Sequence, residues 1–349
     1  MSQIFVDGAW HDARAGATRQ VINPFDQSVV DTVAECDSQD VDRAVQAARQ
    51  AFDNGRWSRV PPTERGRLLA AVADALEADR EAMARIETLD TGKTLVESRM
   101  DVDDVAAVFR YYGGLSDKLG GEHVATGPEV RSVVEREPVG VCSLISPWNY
   151  PLLQACWKIA PALAAGNTVV VKPSELTPLS TIRLFSLLEG TGLPAGVANL
   201  VLGAGEAVGA PMVSHLGVDM VSFTGGLATG RRIMAAAAQT VKNVALELGG
   251  KNPNVVFADC DFDTAVDYAL LAVFLHSGQV CSAGSRLIVE RSLHDRFVAA
   301  VADRAGRIRL GDGMADDTES GPLISEQHRR SVEDHVDKAR GRVEVVCGG

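Results

Sequence analysis

The sequence has no long apolar run, no pair of cysteines at Cys-x-x-Cys spacing and no excess of basic residues. No stretch approaches the ~18 consecutive apolar residues of a membrane-spanning helix, and the first residues lack the basic start and apolar core of a signal peptide. The 34 basic residues are outnumbered by 46 acidic ones, which gives a net charge of −12. Phosphate backbones are bound by clustered Lys and Arg, so we expect no nucleic-acid partner, no membrane attachment and a cytoplasmic location.

The cysteines are spread over the whole chain, at Cys36, Cys142, Cys156, Cys260, Cys281 and Cys347. Without close pairs they indicate neither a zinc site nor a thioredoxin-like motif, so we expect reduced thiols and no bound metal. Cys281 differs from the rest because it lies in a loop of small residues, 278–286, after an apolar helix predicted to open at Asp263 and to end near Gly278. It is a candidate nucleophile, with an ordinary buried thiol as the alternative.

The spacing of apolar residues predicts two kinds of structure in the first part of the chain. Short apolar runs between turn residues predict small strands over 1–36, and apolar positions three or four apart predict amphipathic helices after them. Valines that alternate with polar residues around Gly127 and Pro128 predict a hairpin. The predicted helices span 40–52, 62–89 and 94–119, and the predicted hairpin spans 122–137.

From residue 139 onward, short apolar strands alternate with helices. Strands that are apolar throughout and alternate with helices predict a parallel sheet covered on both faces, the doubly wound α/β class, whose ligands bind at the carboxyl ends of the strands. Thr177 is predicted to cap the second of these helices. The predicted strands are 139–145, 168–172, 198–202, 220–223 and 243–248, followed by a second α/β unit with strands at 254–258 and 286–290.

Five short motifs then follow one another: Pro-Trp-Asn-Tyr-Pro at 147–151, Lys-Pro-Ser-Glu at 172–175, Phe-Thr-Gly at 223–225, Glu-Leu-Gly-Gly-Lys at 247–251 and Gly-Gln-Val-Cys at 278–281. In this order they resemble the NAD(P)-dependent aldehyde dehydrogenase superfamily, over essentially the whole chain. The resemblance implies an aldehyde dehydrogenase-like fold: an NAD-binding domain at 1–119 and 139–248, a hairpin oligomerisation arm at 120–138, and a catalytic domain at 249–349.

The family's later Glu-x-Phe-Gly-Pro segment does not occur in this sequence. We therefore expect the catalytic domain to be incomplete, partly disordered after about Asn252 and of little activity. The alternative to an enzyme is a non-catalytic binding or structural protein derived from one. In the family's full-length form the resemblance implies a homo-dimer or homo-tetramer.

The resemblance also implies the catalytic roles. Cys281 attacks the aldehyde, the Asn149 side chain donates to the resulting oxyanion, and Glu247 activates the water that hydrolyses the thioester. Two simpler readings stay open at this point. Asn149 caps the helix that begins near Leu152, and Glu247 is an ordinary solvated carboxylate at the end of a strand.

For the cofactor, the segment 203–209 has a dinucleotide-like pattern of glycines with a spacing one residue too long, so 224–230 is the better phosphate candidate. Glu175 accepts hydrogen bonds from a ribose and repels a 2′-phosphate, which predicts NAD, while Lys172 leaves NADP open. Gly226 stands where the family commonly has Ser, and His276, where Asn is usual, is read as structural. The resemblance implies that the cofactor contacts Ile145, Ser146, Pro147, Trp148, Lys172, Glu175, Gly205, Phe223, Thr224, Gly225, Gly226, Gly230 and Leu248.

Two aromatic residues bear on the substrate. Tyr150 follows Asn149, and Trp157 lies two helical turns further on the same face, so both are candidates to face the aldehyde. The pair resembles the aromatic box of betaine aldehyde dehydrogenases, because aromatic faces bind quaternary ammonium groups. The alternative is a Tyr and a Trp packed in the core.

Overall fold

The structure, a computed structural model, describes residues 3–348. Its N-terminal strands form two short antiparallel hairpins, as the alternation of apolar runs and turn residues predicts. The first hairpin pairs β1 with β2, and the second pairs β3 with β4. The strands are β1 Ile4–Val6, β2 Ala9–His11, β3 Thr18–Ile22 and β4 Val29–Ala34.

Four helices follow, one more than the sequence predicts. The prediction of a single helix over 62–89 is wrong, because the helix is interrupted at Asp79. The Asp79 carboxylate accepts a hydrogen bond from Arg183 Nε at 2.7 Å. The last helix begins after Thr94, whose hydroxyl accepts the Glu97 N–H at 3.3 Å. The helices are α1 Ser38–Asp53, α2 Pro62–Ala78, α3 Arg80–Thr91 and α4 Leu95–Leu115.

The predicted hairpin is present as β5 Glu122–Ala125 and β6 Arg131–Val134. Among the described residues, 3–348, the two strands pair only with each other, with Glu122 opposite Val134. All four residues of β5 and three of the four in β6 are exposed. The hairpin therefore contributes its valines, among them Val124 and Val133, to the surface.

The central sheet contains β7 Val141–Ile145, β8 Thr168–Lys172, β9 Ala198–Leu200, β10 Met220–Gly225 and β11 Asn243–Leu248. Its order is β11-β10-β7-β8-β9-β1-β2, in which the first five strands are parallel and β1 joins β9 antiparallel. This confirms the doubly wound parallel sheet. Chain order reverses between β7 and β10, the position at which doubly wound sheets open a ligand-binding crevice.

The crossover helices are α5 Pro151–Ala164, α6 Leu179–Glu189, α7 Ala210–Ser214 and α8 Leu227–Ala238. They cover the sheet with the help of α1: α5 packs on β7 and β8, α1 on β8 and β9, and α8 on β10 and β11. Buried apolar residues of the sheet and these helices form one continuous core, which includes Val170, Phe185 and Trp57.

The start of α6 corrects a prediction. Thr177 is not its N-cap, because the Thr177 hydroxyl donates to the Trp148 carbonyl oxygen at 3.1 Å. The first helical N–H, of Leu179, donates instead to the Asp90 carboxylate at 2.8 Å. Asp90 belongs to α3 and is fully buried, and burial raises its pKa well above the ordinary range. A residue 89 positions earlier thus caps α6.

The second unit contains a two-stranded parallel sheet, β12 Pro253–Val256 and β13 Arg286–Val289. Its helices are α9 Phe262–Phe274, α10 His294–Ala305 and α11 Glu326–Ala339, of which the last two were not predicted. The helix expected to open at Asp263 begins earlier, since Asp261 is the cap and accepts the Thr264 N–H at 2.9 Å. The buried core of this unit is small: Val256, Val266, Ala269 and Phe297.

Candidate active site

The loop that carries Cys281 begins with a left-handed turn. After α9 ends at Phe274, His276 has φ 46°, Ser277 has φ 55° and Gly278 has φ 77°. Only glycine adopts this region freely, and each L-residue held there costs about 1–2 kcal/mol. Cys281 follows three residues later and is exposed. Surrounding contacts must therefore hold this backbone in place.

Two other segments supply those contacts. The His276 N–H donates to Glu97 Oε1 at 2.7 Å, and the Ser277 hydroxyl donates to the Gly321 carbonyl oxygen at 2.7 Å. The Gln279 side-chain oxygen accepts the Ile324 N–H at 3.0 Å. The nucleophile loop is thus held by α4 on one side and by residues 321–324 on the other.

Asn149 reaches the same loop. Its side-chain amide donates to the Gln279 carbonyl oxygen at 2.7 Å, two residues before Cys281. Tyr150 is the N-cap of α5 and no side chain caps that helix, so the capping alternative for Asn149 is not observed. A primary amide has two N–H donors, and the contact with Gln279 uses one of them.

The Glu247 strand is tied to the loop from the other side. Glu247 is exposed near the carboxyl end of β11, opposite Thr224 of β10. Five residues later, Asn252 donates from its side-chain amide to the Cys281 carbonyl oxygen at 3.0 Å. The three predicted catalytic residues therefore lie on segments that join at the carboxyl edge of the central sheet.

Lys158 of α5 is a residue of this region that the sequence analysis missed. It is buried, and its Nζ donates to the Thr224 hydroxyl at 2.6 Å, which in turn donates to Gln154 Oε1 at 3.0 Å. Burial lowers the pKa of Lys158 to about 8, and the charge of Glu247 opposes this shift. A single Lys in the apolar sequence of α5 was the available signal.

A cleft of about 550 Å³ opens at the crevice between β7 and β10. Lys172 in its wall is buried, with Nζ 3.4 Å from Glu175 Oε2. Burial lowers the pKa of Lys172, and the Glu175 carboxylate opposes that change. The volume suits a small-molecule ligand. Five of the predicted cofactor residues line the cleft: Ile145, Lys172, Glu175, Gly205 and Phe223. Four residues that were not predicted also line it: Ala204, Glu206, Thr229 and Arg232.

The other predicted cofactor residues lie outside this wall in the described chain: Ser146, Pro147, Trp148, Thr224, Gly225, Gly226, Gly230 and Leu248. Trp148 packs edge-on against the His328 ring, with centroids 5.0 Å apart. Gly225 and Gly226 lead into α8, and a side chain at Gly226 would meet nothing within 4 Å. Gly230 has no room for a side chain, because a Cβ there would lie 2.9 Å from a methyl group of Leu248. Gly226 therefore has room for the Ser that the family commonly carries.

The two predicted substrate aromatics are not in ring contact within residues 3–348. The Tyr150 ring lies 4.0 Å from Lys93 Nζ and packs edge-on against the His276 ring at 5.6 Å. Trp157, by contrast, is 48% exposed on α5. Tyr150 thus has one face occupied from within the protein, and Trp157 faces outward.

Beneath Tyr150 is a buried charged cluster. Lys93 is fully buried, and its Nζ lies 2.5 Å from Asp101 Oδ2 and 3.3 Å from Glu87 Oε1. Burial lowers the pKa of Lys93, but the two carboxylates outweigh it and keep the ammonium charged. His276 is also buried, and burial holds its pKa well below the ordinary range. Its neutral ring agrees with a structural role.

Residues 3–348 contain neither a membrane-spanning helix nor a metal-binding cluster. No helix there is both long and apolar enough to cross a membrane. In the same residues, no three His, Cys, Asp or Glu side chains are grouped to hold a metal ion.

Comparisons with known proteins agree with one another. The model of the aldehyde dehydrogenase family matches residues 10–349. Betaine aldehyde dehydrogenase of Bacillus subtilis is 56% identical over 97% of this chain and 69% of its own length, and human retinal dehydrogenase 2 is 42% identical over the whole of this chain and 68% of its own. A crystal structure of Staphylococcus aureus betaine aldehyde dehydrogenase in complex with NAD+ superposes with a TM-score of 0.98 at 52% identity, covering 99% of this chain and 71% of that one.

Proposed function

Because the chain belongs to the aldehyde dehydrogenase family, we propose that it oxidises an aldehyde to the carboxylic acid with NAD, through covalent intermediates on Cys281. The hydrogen bond from Asn149 to the Gln279 carbonyl oxygen is the observation that carries this proposal. It fixes an amide donor beside the nucleophile loop, and the second N–H of that amide is available to an oxyanion.

The first half of the reaction belongs to Cys281 and Asn149. The thiolate of a cysteine is a strong nucleophile, and Cys281 supplies it. The sulfur forms a bond to the aldehyde carbon, and the carbonyl electron pair moves to the oxygen. Asn149 stabilises the oxyanion, a contribution of ~10²–10³ in rate for one such donor.

NAD, when bound, accepts the hydride that leaves this carbon. A thioester on Cys281 remains. Glu247 then removes a proton from the attacking water, the C–S bond breaks, and the sulfur leaves as the thiolate with the acid as product. The negative charge of Glu247 raises the pKa of the buried Lys158, against the effect of burial.

The cleft at β7 and β10 suits the adenosine half of NAD. Glu175 accepts from the ribose hydroxyls and disfavours a 2′-phosphate, while Lys172 retains some tolerance of NADP. The backbone at Gly225 and Gly226, at the start of α8, is the proposed pyrophosphate site, because N–H groups at a helix start favour an anion.

Betaine aldehyde is the proposed substrate. Support comes from the relatives of Bacillus subtilis and Staphylococcus aureus, both betaine aldehyde dehydrogenases, and from Tyr150 beside Asn149. One face of the Tyr150 ring is occupied by Lys93, so the other face and Trp157 are the candidates for the quaternary ammonium group.

The domain boundaries stay a proposal: 1–119 and 139–248 bind the cofactor, 120–138 is an oligomerisation arm, and 249–349 carries Cys281. The exposed valines of β5 and β6 support a homo-dimer or homo-tetramer, since such residues are buried when copies associate. Six unpaired cysteines favour a reducing compartment, and therefore the cytoplasm.

The test follows NADH absorbance with the purified protein, NAD and betaine aldehyde. In a chain that has the full length of these relatives, we expect turnover by the wild type and none by Cys281→Ala, with 3,3-dimethylbutanal as the neutral substrate of matched size. Equal rates in the wild type and Cys281→Ala would reject the nucleophile. A preference for the neutral aldehyde would reject betaine aldehyde and leave the reaction class intact.

A further inference from the structure

We propose that Glu97, at the start of α4, is a positioning residue that holds the Cys281 loop against Asn149. The inference rests on the proposed function, because it assigns Glu97 a part in presenting that nucleophile. Within residues 3–348, Glu97 makes no hydrogen bond to the three proposed catalytic side chains, so its effect on the reaction passes through the backbone of the loop.

The two carboxylate oxygens of Glu97 have separate partners. Oε2 accepts the Thr94 N–H at 2.9 Å and the Thr94 hydroxyl at 2.8 Å, which completes the capping box of α4. Oε1 takes no part in the cap and accepts the His276 N–H at 2.7 Å. An ordinary capping glutamate needs only the first set of contacts.

The second contact falls where the backbone most needs one. His276 is the first of three consecutive left-handed residues, and it is buried, so water cannot replace a lost acceptor. A buried N–H without a partner costs free energy comparable to a lost hydrogen bond, and a charged acceptor makes the stronger bond. Glu97 therefore stabilises the turn that directs the chain from α9 toward Cys281.

The effect reaches Asn149 within three residues. The His276 carbonyl oxygen accepts the Gln279 N–H at 3.0 Å, and the Gln279 carbonyl oxygen accepts the Asn149 amide at 2.7 Å. Glu97, His276, Gln279 and Asn149 form one chain of contacts. The position of the turn thus sets the position of the proposed oxyanion donor relative to the loop.

The same helix start supports the other side of the site. Lys93, just before the Thr94 cap, places its ammonium 4.0 Å from the Tyr150 ring centre, and Tyr150 follows Asn149. Residues 93–97 therefore contact both neighbours of Asn149: Tyr150, which follows it in the sequence, and the Cys281 loop, to which its side chain is hydrogen-bonded. A small displacement of this segment moves the two sides together.

The experiment separates helix capping from loop positioning with matched variants. Thr94→Val removes the hydroxyl of the cap and leaves the contact between Glu97 and His276. Glu97→Ala removes the side-chain half of the capping box and that contact together, but leaves the Thr94 hydroxyl bonded to the N–H of residue 97. Glu97→Gln keeps a side-chain oxygen of the same reach. Hydrogen exchange of the peptide spanning 276–281, the NADH burst rate constant and the NAD dissociation constant are measured for each.

We expect Thr94→Val to lower the melting temperature with little change in loop exchange or burst. In Glu97→Ala, the amides of residues 276–281 should exchange about tenfold faster than in the wild type. The rate constant of the NADH burst should fall on the order of 10- to 100-fold, and the affinity for NAD should not change. Glu97→Gln should give intermediate values. The split between burst and cofactor affinity is a result that general destabilisation does not produce.

The proposal is overturned if Glu97→Ala matches Thr94→Val in both exchange and burst, or if its loop stays as protected as in the wild type. A full-length wild type that forms no NADH at all would instead reject the proposed function. The exchange comparison tests the role of Glu97 in that case too, because it needs no turnover.

Discussion

Residues 4–248 and 253–348 differ sharply in how much apolar surface they bury. The first region packs Trp57, Phe109 and Phe185 fully inside one core that spans its sheet and helices. In the second, the buried apolar cluster consists of Val256, Val266, Ala269 and Phe297, and α11 buries no residue. We call residues 4–248 the cofactor region, after the proposed cofactor cleft. Because burial supplies most of the favourable free energy of folding, this region is the more stable of the two in the present chain.

The sheets show the same difference. β8 is buried along its whole length, whereas Val255 of β12 and its neighbour Ile288 of β13 are about half exposed on one face of their sheet. Cys281 belongs to the less buried region, and Asn149 and Glu247 belong to the more buried one. The proposed site therefore takes its residues from both regions.

The largest effect is expected for a change that removes the proposed base, in the first region, and keeps the proposed nucleophile, in the second. Glu247→Gln should still form one equivalent of NADH rapidly, because Cys281 and Asn149 remain. It should then hydrolyse the thioester on the order of 10²–10⁴-fold more slowly than the wild type. Stopped-flow absorbance followed by steady-state assay measures both phases. Cys281→Ala is the control and should give no burst. An unchanged steady-state rate in Glu247→Gln would remove the base assignment.

The difference in burial predicts different consequences for two matched core changes. Phe185 packs edge-on against Phe5 at 5.7 Å, and Phe297 packs edge-on against Phe262 at 5.8 Å. Phe185→Ala should destabilise the cofactor region by about 3–5 kcal/mol, measured by denaturant unfolding. Phe297→Ala should raise hydrogen exchange in β12, β13 and α9 while β7 and β8 stay protected.

A loss of protection in β8 as large as that in β12 in Phe297→Ala would mean that the two regions unfold as one. The comparison drawn from burial would then be wrong.

Buried charge is also concentrated in the cofactor region, which gives a prediction with pH. The pKa of Lys158 is lowered to about 8, below its ordinary value of about 10.4, so the folded protein releases this proton first as pH rises. The free energy of unfolding of the wild type should therefore rise relative to Lys158→Met by roughly 2–3 kcal/mol between pH 8 and 10. Below pH 8 the wild type bears the full cost of the buried cation.

Lys338→Met is the matched control, since Lys338 is exposed on α11 of the other region. Its stability difference from the wild type should not change over this pH range. A flat difference for Lys158→Met as well would show that Lys158 does not titrate there.

The smallest effect concerns the cofactor region alone. Glu175→Gln removes a negative charge from the cleft wall and should raise kcat/KM for NADP relative to NAD by about tenfold, as for one like-charge contact near a protein surface. Glu206→Gln, also in the wall, is the control for a general charge effect and should change the ratio less. An equal change in both variants would take the selectivity away from Glu175.

The sequence predicted most of the central sheet because its strands are continuous apolar runs. β8 and β11 coincide with the predicted ranges, and the fold class and the family are confirmed. The errors lie where a distant partner decides the local structure. Arg183 holds Asp79 at the break between α2 and α3, and Asp90 replaces Thr177 as the cap of α6.

The candidate site divides in the same way. Motifs located Cys281, Glu247 and Asn149, because their chemistry requires particular residue types at a characteristic spacing. They could not locate Glu97, 179 residues from its partner His276, or the contact between Lys158 and Thr224 across 66 residues. Side chains that act through another segment leave no local pattern. The roles of the three catalytic residues remain proposals.

The cap of α6 has a consequence for the order in which the chain folds. The N-terminal turn of an isolated helix is its least stable part, and here its first N–H finds an acceptor only on α3. That contact closes a loop of 89 residues, so α6 cannot complete its first turn until α3 has docked. Non-local contacts of this kind slow folding. A nascent chain that has been synthesised as far as residue 178 already contains the acceptor, Asp90, before α6 is made. A chain rearranged to begin at α6 would make the helix before its acceptor, and the first N–H of the helix would stay unpaired until α3 followed.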